Sequence, residues 1–317
     1  MGRGASRRAR CRQLTTRRRT FPLVPSRRPQ GTPFGERRSA RRGRGADVAG
    51  TRPYVAGDPV ATIDWFASAR LSSARGGDEF VVRETYAEEA PRVLLVVDRR
   101  PSMSLYGDDL PWLSKPATVA AAADAIARAA VAARAELGHA DAAGGRAHVL
   151  SPGAVSPRHV LERVRRAPFD AQDGSLARTL AALLNRRSEL PQGSFVFILS
   201  DFLDPAPPGL WSRLRSALWD VVPVLIQDPT WEQSFPDVSG VVVPFAGADG
   251  GEPALVRLLP VEVAARRSAN EARRDELLRR FGTHGFDPVV LGSSSQATVD
   301  AAFLRWAERR RLRRRRR

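Results

Sequence analysis

RVLLVV, residues Arg92–Val97, runs directly into Asp98-Arg99-Arg100-Pro101-Ser102-Met103, and the fold turns on this stretch. An unbroken apolar run with no alternation fits a strand buried on both faces, as in a parallel sheet covered by helices. The pattern returns at FVFIL (Phe195–Leu199), followed by Ser200-Asp201, and more weakly at Val221–Ile226, followed by Gln227-Asp228. Pro223 argues against a central, fully paired place for that third strand, because proline has no N–H to donate.

Helical patterns separate these strands. Residues 116–137 carry Val119, Ala123, Ile126, Ala130, Ala133 and Leu137 at steps of three and four, which predicts one amphipathic helix. Ser156–Arg166, Leu176–Arg187, Leu210–Leu218, Val261–Phe281 and Val299–Arg311 also read as helices. Ala147–Leu150 reads as a weak strand, Val241–Phe245 with Leu255–Leu258 as a hairpin, and Pro288–Leu291 as a last strand. Such alternation predicts an α/β, Rossmann-type fold, mostly parallel, with helices on both faces. Ahead of it, Tyr54–Tyr86 contains the β-like runs Ile63-Asp64-Trp65 and Phe80-Val81-Val82 between Gly57, Gly76 and Gly77, which predicts a small β segment. The expected division is an Arg-rich disordered arm (1–45), the β segment (46–90), the α/β domain (91–304) and a basic tail (305–317).

Composition excludes several classes of protein. The 317 residues are 43% hydrophobic, enough for a real core. The most apolar stretch, Ala117–Leu137, is broken by Asp124, Arg128 and Arg134 and is not a membrane span. The single cysteine, Cys11, excludes a disulfide framework and a cysteine zinc site, and four histidines (139, 148, 159, 284) argue against a multi-His centre. No Gly-x-x-x-x-Gly-Lys-Ser/Thr loop occurs, so ATP hydrolysis is not expected, and no Gly-x-Ser-x-Gly elbow occurs. The net charge of +17 is uneven: residues 1–52 hold sixteen Arg against two acids, and residues 305–317 hold nine against one. Lys115 is the only lysine. With neither an apolar leader segment nor a span, a cytoplasmic location is expected.

Ligands of open α/β sheets bind beyond the carboxyl ends of the strands, where Asp98, Asp201 and Asp228 stand. Asp98-Arg99-Arg100-Pro101-Ser102 resembles the Asp-x-Ser-x-Ser metal-site loop of von Willebrand factor A domains. Ser200-Asp201-Phe202 is similar to their later acidic loop, and Gly174-Ser175-Leu176 to the loop supplying a hydroxyl ligand. Upstream, Tyr54, Gly57-Asp58, Ile63-Asp64-Trp65 and Ala67-Ser68-Ala69-Arg70 resemble the hallmark of the bacterial domain of unknown function 58 family. Arg83-Glu84, Glu88-Glu89 and Asp228-Pro229 match as well, so the resemblance extends over residues 34–310.

This resemblance implies a von Willebrand factor A-like fold and a working partner of the MoxR type, an AAA+ ATPase; the family has no established reaction. Two departures stand out. Gly57-Asp58-Pro59-Val60-Ala61 replaces the family's Gly-Asp-Asp-x-Arg, and Arg100 replaces the first serine of the metal loop. A guanidinium has no lone pair to give a cation and carries its own charge, so Mg²⁺ is disfavoured and no cofactor is expected. The expected function is a non-catalytic adaptor with a degenerate metal-ion-dependent adhesion site, aiding assembly or maturation of another protein complex. It would present loops 98–107, 172–176 and 201–208 to its partner. The alternative is a polyanion-binding protein, for nucleic acid or an anionic membrane surface, acting through the Arg-rich tails. Trp65 is expected to pack the β segment onto the sheet, over an Asp64–Arg70 ion pair. His148 is expected to be a core or surface residue without a catalytic role.

Overall fold

The computed structural model describes residues 20–26, 38–42, 48–77, 79–88, 91–106, 112–204, 206–245, 252 and 254–315. Cys11, Glu89, Asp108 and Asp109 lie outside them. Strands β1 (Arg38–Arg42), β2 (Val48–Pro53) and β3 (Val81–Glu88) form a small antiparallel sheet in the order β1-β3-β2. Between β2 and β3 the sequence reading needs correction. Ile63 contributes only an isolated bridge to Val82, and Trp65–Arg75 is a helix, α1. Asp64 is its N-cap, accepting from Ala67 N at 3.1 Å, so the acid starts a helix instead of continuing a strand.

The main sheet follows. Strand β4 (Arg92–Val97) leads into helix α2 (Lys115–Ala132), then β5 (Glu136–Asp141) and β6 (His148–Leu150). Helices α3 (Pro157–Arg166) and α4 (Ser175–Asn185) precede β7 (Phe195–Ser200), α5 (Pro208–Ser216) and β8 (Asp220–Ile226). A β9 (Val242–Phe245) and β10 (Ala254–Arg257) hairpin stands apart. Helix α6 (Pro260–Thr283), β11 (Val289–Leu291) and α7 (Gln296–Arg315) complete the chain. The six-stranded order is β11-β8-β7-β4-β5-β6, parallel throughout except for the antiparallel edge strand β6. The expected α/β, Rossmann-type architecture, a mostly parallel sheet with helices on both faces, is therefore present.

Each central strand feeds two cores. Val93, Leu95 and Val97 face α2, α3 and α7, whereas Leu94 and Val96 face α4, α5 and α6. This is the period-two geometry of a strand covered on both sides. The alanines of α2 (Ala122, Ala123, Ala129, Ala130) are fully buried and bring that helix close to the sheet.

Some sequence expectations change, and the reading of Pro223 holds. The predicted helix 116–137 stops at Ala132, and Arg134 turns the chain with φ 51° into β5, so Leu137 is a strand residue. ELGHAD lacks β-branched residues; β5 is made a strand by its neighbours, and Gly138 is required because a Cβ there would sit 2.6 Å from the Leu150 carbonyl oxygen. Pro223 lies inside β8, paired with Ile198 of β7, but the β11 ladder begins only at Val224. The proline thus occupies a place where one side is open.

The arm expected over 1–45 contains an anchored segment, Thr20–Ser26. Phe21, Leu23 and Val24 are buried in the core, with Phe21 stacked on Phe303 at 4.7 Å and edge-on to Trp306. The basic tail from 305 is likewise helical, and Trp306, Ala307 and Arg310 are buried. Arg310 donates to Val24 O at 3.0 Å and Asp220 Oδ1 at 2.9 Å, while Asp220 Oδ2 accepts from Ser26 N at 2.7 Å. Apolar content and one buried charge pair override the basic composition of both ends. Among the described residues, no helix is long and apolar enough to cross a membrane.

Candidate functional site

The carboxyl ends of β4, β7 and β8 converge as the topology requires. Asp98 follows β4, Asp201 follows β7 and Asp228 follows β8, and all three are buried. A short turn, Pro101–Ser104, directs the β4 loop back over the sheet end and buries Ser102 and Met103. Asp201 N donates to Met103 Sδ at 3.1 Å, tying the first loop to the second.

Arg100 lies between the two carboxylates. Its Nη2 donates to Asp98 Oδ2 at 2.7 Å and to Asp201 Oδ1 at 2.9 Å, and its Nε reaches Asp98 Oδ2 at 3.1 Å. Its backbone N also donates to Asp98 Oδ1. Burial works against the charged guanidinium, but the Asp98 and Asp201 carboxylates outweigh it and raise its pKa. Ser200 Oγ donates to Asp98 Oδ2 at 2.7 Å and accepts from Phe202 N, so that hydroxyl both donates and accepts.

A second cation completes the arrangement. Lys115, the first residue of α2, is wholly buried and donates to Asp201 Oδ2 at 3.0 Å, Glu232 Oε1 at 2.6 Å and Ser102 O at 3.0 Å. Burial opposes ionisation of Asp201, yet Lys115 and Arg100 prevail and hold its carboxyl below the ordinary range. For Glu232 the balance reverses, and burial pushes the carboxyl up despite Lys115. Glu232 Oε2 accepts from Asp228 N at 2.8 Å, and Asp228 accepts from Thr230 N, Trp231 N and Trp112 Nε1. The network therefore spans all three strand ends.

A companion cluster lies beside it. Arg99 Nε reaches Asp141 Oδ2 at 3.3 Å, Arg163 donates to Asp141 Oδ1 at 2.9 Å, and His139 Nε2 lies 2.8 Å from Asp141 Oδ2. Arg99 also donates to the Val164 and Ala167 carbonyls, which caps the end of α3. Burial lowers the His139 pKa more than Asp141 raises it. Asp141 is held low because His139, Arg163 and Arg99 overcome its own burial.

Of the sequence-predicted residues, Asp98, Arg100 and Asp201 are brought into direct contact. Ser102 and Ser175 are buried at the same sheet end, and their hydroxyls make no hydrogen bond of normal geometry, although Ser102 still helps to hold down the Asp201 carboxyl. The hallmark residues form a separate group. Asp58 pairs with Arg52 at 2.6 Å in the turn after β2 that contains Gly57; the Arg52 bond and the Val55 N–H lower its pKa to about 2. Asp64 pairs with Arg83 at 3.3 Å, not with Arg70, whose Nε donates to Phe66 O. Trp65 is 56% exposed, edge-on to Phe80, which also meets Tyr54. Its expected core role is thus corrected: the first turn of α1 points it outward.

Sequence reasoning missed Lys115, Glu232 and the Arg99–Asp141–His139 cluster. The one available signal was the sole lysine of an arginine-rich chain, placed at a helix start behind Ser114. Among the described residues, no group of three or more His, Cys, Asp or Glu is placed to hold a metal ion.

Three solved structures are similar to this chain at low identity. Conserved hypothetical protein BatB from Bacteroides thetaiotaomicron is 14% identical, with 69% of this chain and 100% of that chain covered and a TM-score of 0.40. Pilus adhesin SpaC from Lactobacillus rhamnosus GG is 11% identical, covering 70% of this chain and 30% of that one, with a TM-score of 0.43. An aerotolerance-related membrane protein from Bacteroides fragilis NCTC 9343 is 11% identical over 69% and 100%, with a TM-score of 0.40. No curated protein matches the chain. The family comparison reaches across both the hallmark module and most of the main sheet: residues 50–276 match the family described as Protein of unknown function DUF58, and the chain belongs to that family.

Proposed function

We propose that this chain is a non-catalytic protein-interaction component whose sheet end is organised by its own side-chain cations. One observation carries the reading: Arg100 bridges Asp98 and Asp201 at 2.7 and 2.9 Å. Mg²⁺ needs near-octahedral oxygen donors. Here the facing carboxylate oxygens are taken by Arg100 and Lys115, so a divalent ion does not fit the donor set and no chemical step is routed through one. The loops are fixed to one another by Ala171 N to Arg99 O at 2.9 Å and Gly174 N to Asp204 Oδ2 at 2.8 Å, which favours a constant surface. A second feature supports docking. Tyr54, Val55, Val60, Trp65, Phe66 and Phe80 are large apolar side chains exposed within one short module.

The partner proposed is a MoxR-type AAA+ ATPase, on the strength of the family resemblance, with the pair serving assembly or maturation of another protein complex. The test is capture of the ATPase by the chain lacking residues 1–19 and 316–317, a truncation that removes no described residue. Removing all of 1–45 and 305–317 would strip Phe21, Trp306 and Arg310 from the core. Capture should persist in the trimmed chain and weaken in Trp65→Ala/Phe66→Ala. Loss on trimming alone would instead assign binding to the basic ends.

A further inference from the structure

A groove beside the carboxyl end of β5 borders the Asp141 cluster and shares Arg163 with it. It has a volume of about 530 Å³ and is lined by His148 of β6, by His159, Glu162, Arg163 and Arg166 of α3, and by Gly144. That volume lies in the range of small-molecule sites, roughly 300–1,000 Å³. Its charge is one-sided. Glu162 is the only acid on the wall and already faces Arg158 at 3.4 Å. Asp141, behind the wall, is occupied by Arg99, Arg163 and His139. Arg166 is exposed, and among the described residues no hydrogen bond or ion pair engages it. His148 and His159 are exposed, and among the described residues neither ring is hydrogen-bonded. Four nitrogen-bearing side chains from two elements thus converge on a hollow with one carboxylate on its wall and a second, Asp170, at its edge, where Oδ1 accepts from Gly144 N at 2.8 Å.

We propose that this groove binds a small multivalent oxyanion, of the phosphoryl or polycarboxylate kind, with Arg166 as the principal charge and His148 and His159 as flanking donors. Arg163 is shared, since one of its nitrogens is fixed on Asp141 and the rest of the side chain forms the wall. Guanidinium and imidazole N–H groups give oxyanions short, charge-assisted hydrogen bonds, and a guanidinium can offer two in parallel. The site is independent of the docking role proposed above.

The chain's four histidines make the test specific, because the Arg-rich ends would bind anions without touching His148 or His159. Pyrophosphate and citrate are titrated separately into the full chain while the imidazole NMR signals are followed. The signals of His148 and His159 should move together along one saturating curve, with buried His139 and distant His284 unmoved. The tighter of the two probes assigns the oxyanion as phosphoryl or carboxylate. Arg166→Gln, on the exposed face of α3, should weaken binding about tenfold, the loss of one charge-assisted contact. Equal movement of His284, still signals at both rings, or unchanged affinity in Arg166→Gln would each overturn the proposal.

Discussion

At the scale of single residues, the sheet end is a problem in charge placement. Three buried carboxylates, Asp98, Asp201 and Glu232, face two buried cations, Arg100 and Lys115. Truncating one partner of a buried pair strands the other, at a cost of about 3–5 kcal/mol. Lys115→Met should therefore lower unfolding stability by about that amount in urea titrations; a loss of under about 1 kcal/mol would mean that Asp201 and Glu232 do not depend on it. His139 makes a pH prediction. Burial holds its folded-state pKa below the unfolded value of about 6.5. The unfolded chain then binds the proton more readily, so this contribution is complete above about pH 6.5 and fades as the pH falls below it. Asp141, also depressed, keeps its contribution until the pH drops below about 4. Denaturation midpoints of wild type should fall more steeply between about pH 7 and 5 than those of His139→Gln; parallel curves would refute the assignment. Arg100 was legible in the sequence because a motif position held the wrong chemistry. Lys115 was not, because a lysine at a helix start carries no mark of burial until Asp201 and Glu232 are brought to it.

Among elements, legibility followed the hydrophobic pattern. RVLLVV and FVFIL announced β4 and β7 since both faces are buried, whereas β5 is a strand by virtue of its neighbours alone, and its ELGHAD sequence offers no periodic signal. The same limit hid the Thr20–Ser26 segment. Five apolar or proline residues after eight arginines read as an arm, and only the groove between Phe197, Phe303 and Trp306 gives them a place. Arg310 then closes over that segment through the Val24 carbonyl and Asp220. Phe21→Ala should cost about 3–5 kcal/mol, the usual loss for a buried phenylalanine, measured by chemical denaturation. Near-neutral behaviour would show that the segment is not anchored in solution.

On the scale of the whole molecule, one end of a doubly wound sheet is tied together by arginine, lysine and backbone amides, while an aromatic module carries the family hallmark outside it. The α/β class, the parallel sheet and the convergence of Asp98 with Asp201 followed from two apolar runs and the acids behind them. The outward turn of Trp65 did not, because helix α1 is built around an N-cap acid that also suits a strand end. The proposed docking role rests on a sheet end whose positive charge is covalently part of the chain. Calorimetric titration of Mg²⁺ into wild type and Arg100→Ser tests this directly. The account predicts no binding by wild type and a gain in Arg100→Ser, where an oxygen ligand returns and a fixed charge leaves. Micromolar binding of Mg²⁺ by the wild-type chain would contradict it.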